Sequence, residues 1–93
     1  MTNEELLIQL RSNEELLIQL SDNECLLADG YESALIGISG GSNPVAVYDI
    51  DLCIKSLVER DKMEFEDALE YFYFNTIGAY VGEKTPIFIN RYE

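Results

Sequence analysis

Apolar positions near the start of the chain fall in leucine-rich blocks, and the blocks repeat. Residues 3–10 read NEELLIQL and residues 13–20 read NEELLIQL again, an identical copy displaced by ten. A third, decayed copy begins at Asn23-Glu24, with Leu26 and Leu27 in the places of the leucine pairs 6-7 and 16-17. Each copy carries a helix-start signal. Thr2 with Glu5, Ser12 with Glu15 and Ser21 with Glu24 each match the hydroxyl-x-x-Glu box that satisfies the first free backbone N–H groups. Two arrangements follow. In one continuous helix a ten-residue step turns the pattern by about 280°, which still gathers Leu6, Leu7, Leu10, Leu16, Leu17, Ile18 and Leu20 into one broad stripe. A break near Ser12 gives two short helices instead. A continuous helix through at least residues 13–20 is preferred, because short isolated helices are weak. Gly30, after Ala28-Asp29, is the expected stop, since glycine tolerates the left-handed backbone that ends helices.

The pattern then changes. Residues 33–48 contain no charged side chain, and the runs 34–38 and 45–48 flank Ser39-Gly40-Gly41-Ser42-Asn43-Pro44, which predicts a β-hairpin. Asp49 is placed to cap the next helix, in which Ile50, Cys53, Ile54, Leu57 and Val58 recur at the spacing of one buried face as far as Arg60. Asp61 and Glu64 offer a further box before a second helix, with Phe65, Ala68, Leu69 and Phe72 inward and Glu66, Asp67 and Glu70 outward. Gly78 and Gly82 interrupt that helix. Pro86 precedes Ile87-Phe88-Ile89, a short strand by composition.

Together these elements predict an α+β fold: an N-terminal helix or helices, a β-hairpin, two helices and a third strand, forming a small, mainly antiparallel sheet covered by helices. Ninety-three residues suit one domain. Within it, residues 1–28 are the duplicated helical segment, packed on an α+β core of residues 29–93.

Charge alters what this fold can bind. Eighteen acidic residues against six basic ones give a formal net charge of −12, which repels nucleic-acid phosphates and disfavours direct DNA or RNA binding. The apolar fraction of 47% still supplies a core. Eight acids lie within residues 1–32 and eight within 49–70, so the negative charge sits mainly on helices and leaves the hairpin uncharged. Solvation accounts for such faces; rows of carboxylates can also imitate phosphate spacing in a basic groove. No stretch of eighteen apolar residues exists, and the first residues are acidic, so neither membrane insertion nor secretion is expected. Cys25 and Cys53, both within helical apolar patterns, suit reduced core thiols and a cytoplasmic setting.

Several segments, in order, carry a resemblance: residues 29–37 (DGYESALIG), Val47-Tyr48-Asp49 with Cys53-Ile54, residues 59–63 (ERDKM), Glu70-Tyr71-Phe72 with Phe74-Asn75, residues 78–83 (GAYVGE) and Thr85-Pro86-Ile87-Phe88. In this combination residues 29–89 resemble a group of short, acidic, uncharacterised proteins encoded by bacteriophages and prophages. The resemblance implies a phage-type origin and carries over no activity or catalytic residue. The duplicated N-terminus departs from that pattern.

Candidate chemistry is sparse. Without histidine the chain lacks the commonest general base and metal ligand, and with them the usual Ser-His and Cys-His arrangements. Cys53 at a helix start reads as a packed core cysteine rather than a reactive thiol. Residues 78–85 (GAYVGEKT) depart from a phosphate loop, because a glutamate separates Gly82 from Lys84 and no strand-to-helix context surrounds them. Asp49 with Asp51, or Glu66 with Glu70, could offer oxygen ligands, but a cap and a solvated helix face explain them as well; neither metal nor cofactor is expected.

The run Tyr71-Phe72-Tyr73-Phe74 puts aromatics all round a helix, so part of it faces away from the sheet, to be covered by loops or by a partner. The expected partner surface comprises Glu66, Asp67, Glu70, Tyr71, Tyr73 and Phe74, with Tyr80 and Lys84 presented by the glycine-containing loop. The leading expectation is a non-enzymatic interaction protein that inhibits a host protein with a basic surface, as an anti-defence or DNA-mimic inhibitor. A homodimer or higher oligomer is compatible with it. The alternatives are an oligomeric sponge for a nucleotide-like signal, with Lys84 as its cation, and a minor structural phage protein.

Overall fold

A computed structural model describes residues 14–92 of the protein. The first NEELLIQL copy, the Thr2/Glu5 and Ser12/Glu15 boxes and the choice between a continuous helix and a break near Ser12 lie outside the described residues.

Helix α1 covers residues 14–22 and buries Leu20, 2% exposed, with Leu16 packed beside it. It stops earlier than Gly30, by a mechanism the sequence concealed. Glu24 adopts a left-handed φ of 55°, its N–H donates to the Ser21 carbonyl at 3.0 Å, and the Cys25 N–H reaches the Leu20 carbonyl at 2.9 Å. This is a Schellman ending with glutamate where glycine is usual. Ser21 and Glu24 therefore close a helix rather than open one, and Leu26 and Leu27 lie in an irregular segment rather than a third helix. Cys25, also read as helical, sits in that segment and donates its thiol to the Pro44 carbonyl at 3.3 Å. Gly30 serves a turn instead. Its φ is +89°, a backbone that favours glycine, and an added Cβ would also press on the Arg60 guanidinium at 3.2 Å.

A 3-10 turn at Glu32–Ala34 leads into strand β1, Leu35–Ile38, which pairs antiparallel with β2, Ala46–Asp49. The hairpin thus forms as its pattern predicts, with a register shift between Leu35 and Gly37. Helix α2, Ile50–Arg60, starts where the Asp49 carboxylate accepts the Leu52 N–H at 3.0 Å, and Ile50, Cys53, Ile54 and Leu57 form its buried face. Helix α3 follows at Phe65–Phe72.

Its start departs from expectation. Asp61 grips the Arg60 guanidinium through both oxygens, at 2.9 and 3.1 Å, while Glu64 holds the cap position without a side-chain hydrogen bond. Phe65 is 62% exposed and borders a hollow against Ile54 and Val58 of α2 instead of entering the core, leaving Ala68 and Phe72 as the buried residues of α3.

One π-type turn, Tyr73–Ile77, extends α3 to Gly78, and strand β3, Ile87–Ile89, closes the sheet in the order β1-β2-β3. β3 runs parallel to β2, so the sheet is mixed where a mainly antiparallel one is expected from the pattern. A parallel neighbour needs a long crossover connection, and the chain from α2 through the loop at residues 78–86 supplies one. The α+β class itself is as predicted.

Aromatic rings fill the space between helices and sheet. Phe72 is wholly buried and meets Tyr31 and Phe88 edge-to-face, at 5.8 and 5.4 Å between ring centres, while Tyr48 stacks on Phe88 at 5.4 Å. The Tyr48 hydroxyl accepts the Ala28 N–H at 2.8 Å, and the Tyr31 hydroxyl bonds Thr76 at 3.1 Å. No helix among the described residues is long and apolar enough to cross a membrane.

Two measurements test this scheme. Tyr48→Phe keeps the stacked ring but orphans the Ala28 amide, and should cost about 1–3 kcal/mol in urea unfolding. Asp49 tests the pH dependence. Burial alone would push its carboxyl up, but the Leu52 N–H and the Arg91 guanidinium outweigh burial and hold it below the usual aspartate value. A depressed native value means stability that is present above the unfolded-state value, near about pH 4, and is lost as pH falls through the native one. The urea midpoint should therefore drop on acidification below about pH 4. In Asp49→Ala the drop should be shallower, on a baseline lowered by about 1–2 kcal/mol for the lost cap.

Candidate functional site

Helix α3 turns the residues at 67, 70, 71 and 74 to one side, because positions three, four and seven apart share a helix face. There Asp67, Glu70, Tyr71 and Phe74 line a shallow groove of ≈ 340 Å³, together with Met63 and Asn75. Phe74 is 78% exposed and Tyr71 46%, so loops do not cover these rings. The π-type turn begins at Tyr73, immediately after the buried Phe72, and Phe74 stands out from it. Asn75 donates its side-chain amide to the Tyr71 carbonyl at 3.2 Å, which braces the turn from inside the groove.

No cation lines this groove. Among the described residues the acidic side chains in ion pairs are Asp61, with Arg60, and Asp49, with Arg91. Asp67 and Glu70 thus present free charge beside exposed aromatic edges, an arrangement suited to a guanidinium or ammonium group. Glu66 and Asp67 also lie in the first turn of α3, where negative charge complements the helix dipole.

The structure gathers half of the expected partner residues. Asp67, Glu70, Tyr71 and Phe74 share the groove, whereas Glu66 is exposed on the same helix outside its lining. Tyr73 lies edge-to-face on Phe72 at 5.6 Å and also falls outside the lining. Tyr80 is 78% exposed in the loop before β3. Lys84 is tied down rather than presented: its ammonium donates to the Pro44 carbonyl at 3.2 Å, and the neighbouring Glu83 carbonyl accepts from Asn43 at 2.7 Å. The loop closes on itself through Thr85, whose hydroxyl donates to the Gly82 carbonyl at 2.6 Å and accepts the Val81 N–H at 2.9 Å. Gly82, at a φ of +116°, makes that turn. The glycine-rich run is therefore a pinned surface turn.

Met63 and Asn75 are groove residues the sequence pattern did not single out, since each lies outside the regular part of α3. A second opening was also missed. Leu26, Leu27, Ala28, Thr76, Ala79, Val81, Thr85, Pro86 and Phe88 line an apolar hollow of ≈ 370 Å³. Reading Leu26-Leu27 as a third helical copy hid it; an adjacent leucine pair before an Ala-Asp-Gly turn is the available signal.

The remaining candidates are committed elsewhere. Asp49, read as half of an oxygen-ligand pair with Asp51, is buried and held by the Leu52 N–H and Arg91. Among the described residues no three His, Cys, Asp or Glu side chains gather in a metal-binding group. Cys53 is wholly buried on α2. Burial first, and then the Asp49 charge, push its thiol up to about 12, far from the depressed values of nucleophilic cysteines.

Comparison with protein-family models, with curated proteins and with solved structures finds no match to the chain. The groove geometry and the chemistry lining it are therefore the guide to function.

The cysteine assignment is directly measurable. At pH 8 an alkylating reagent should label Cys25 in the native protein and reach Cys53 only after denaturation, as peptide mass spectrometry would show. Rapid native labelling of Cys53 would contradict its place in the core.

Proposed function

We propose that the protein is a non-enzymatic, acidic, phage-type interaction protein that binds and inhibits a host protein through the exposed face of α3 and its π-type turn. The observation that carries this reading is the groove in which the Asp67 and Glu70 carboxylates stand beside the exposed rings of Tyr71 and Phe74 with no cation among them. A partner offering basic side chains gains from both: carboxylates give charge-assisted hydrogen bonds and aromatic faces attract the same cations. Aromatic anchors inside a polar rim are also the usual seat of binding energy. A net charge of −12 speeds encounter with a positive surface and repels nucleic acid itself. Inhibition then means occupying the groove with which the host protein holds its own polyanion. The phage origin rests on the resemblance of residues 29–89.

The test is a pull-down from bacterial lysate at low and high salt with the wild-type chain, an Asp67→Asn/Glu70→Gln variant and Phe74→Ala. A partner captured at low salt should weaken about tenfold or more as screening rises. Both variants should lose it while staying folded, since all three residues are exposed and only the Asp67 charge at the start of α3 contributes to stability, by about 0.3–1 kcal/mol. Capture of nothing at low salt, or capture indifferent to both variants, refutes the proposal.

A further inference from the structure

Helix α1 occupies a seat on the core, and the sequence that fills it is present twice in the chain. Leu20 enters the core cluster and Leu16 packs against it. The Gln19 carbonyl accepts from the backbone and side-chain amides of Asn23, at 3.1 and 2.8 Å, and Glu24 takes the left-handed backbone that ends the helix. Ten positions earlier the same residue stands at every one of these places: Leu6, Gln9, Leu10, Asn13 and Glu14. The repeat thus carries the apolar face and also the residues that stop the helix. It differs at exposed Ser21 and Asp22, replaced by Arg11 and Ser12, and at Cys25, replaced by Glu15.

We infer that this seat is a docking site for either NEELLIQL copy, so that residues 3–10 replace residues 13–20 in a minor register shifted by ten. Identical copies offer identical side chains to the seat, so intrinsic affinity does not discriminate between them. The connection does. The observed register joins Leu20 to Ala28, whose amide is fixed on Tyr48; the shifted one joins Leu10 to Ala28, roughly doubling the span. Loop-closure entropy disfavours that doubling by only roughly threefold. Loss of the contact between Cys25 and Pro44 adds to the preference for residues 13–20.

The exchange predicts a pattern of stabilities that a single-occupant seat does not. Truncating a buried leucine ordinarily lowers the folding equilibrium constant by roughly a hundredfold. In Leu20→Ala the intact first copy should take the seat, holding the loss to about tenfold or less. Leu10→Ala alone should change little, and Leu10→Ala/Leu20→Ala should show the whole loss of roughly a hundredfold. Urea unfolding of the full chain gives these constants, and residue-resolved amide exchange locates the seated copy. In Leu20→Ala, protection should move from residues 14–22 to residues 4–12. A Leu20→Ala variant as unstable as the double variant, or protection that stays on residues 14–22, overturns the inference.

Discussion

Everything in this small fold is arranged around the complete burial of one ring, that of Phe72. Edge-to-face contacts tie it to Tyr31 before the 3-10 turn and to Phe88 on β3, and Phe88 passes the connection to Tyr48 on β2 by stacking. Aromatic pairs in these geometries add about 0.5–1.5 kcal/mol each beyond the apolar area they bury. Four segments distant in sequence therefore meet at one point. The hydroxyls of Tyr48 and Tyr31 extend the connection to Ala28 and Thr76, so even the polar tips of core rings bind otherwise irregular backbone.

That constraint also creates the candidate site. Four successive aromatics cannot all enter one core from one helix, and once Phe72 is inside, Tyr71 and Phe74 must lie toward solvent. The surface groove is thus the outward counterpart of the core, held by the same turn of helix. Its backbone continues directly from the buried Phe72, and the Asn75 amide braces the turn that follows. Charge is arranged in the same spirit. Arg60 joins the Gly30 carbonyl to Asp61, Arg91 holds Asp49, and Lys84 fastens the last loop to the hairpin. Among the described residues no Lys or Arg, Lys55 and Lys62 included, forms an ion pair with the α3 carboxylates, which are left unneutralised by neighbours.

What the sequence determined by itself was local. Asp49 as a cap, the spacing of Ile50, Cys53, Ile54 and Leu57, the uncharged hairpin and the strand after Pro86 all form as their patterns predict, because each signal acts across a few residues. The i, i+3, i+4 spacing of Asp67, Glu70 and Tyr71 likewise puts those residues on one face by helical geometry alone. Tertiary structure decided the rest. Serine and glutamate three apart open a helix in most contexts, yet Ser21 and Glu24 close one, because burial of Leu20 sends the following chain toward Pro44 and Tyr48. Phe65 matches the inward spacing but sits at the first turn of α3, beyond the reach of the core. The direction of β3 was set by the long crossover from β2, and Lys84 fastens to the hairpin because a carbonyl 40 positions away accepts its hydrogen bond. Strand direction, helix ends under load and the pairing of a lone cation depend on contacts between distant residues, and no periodicity along the chain encodes those.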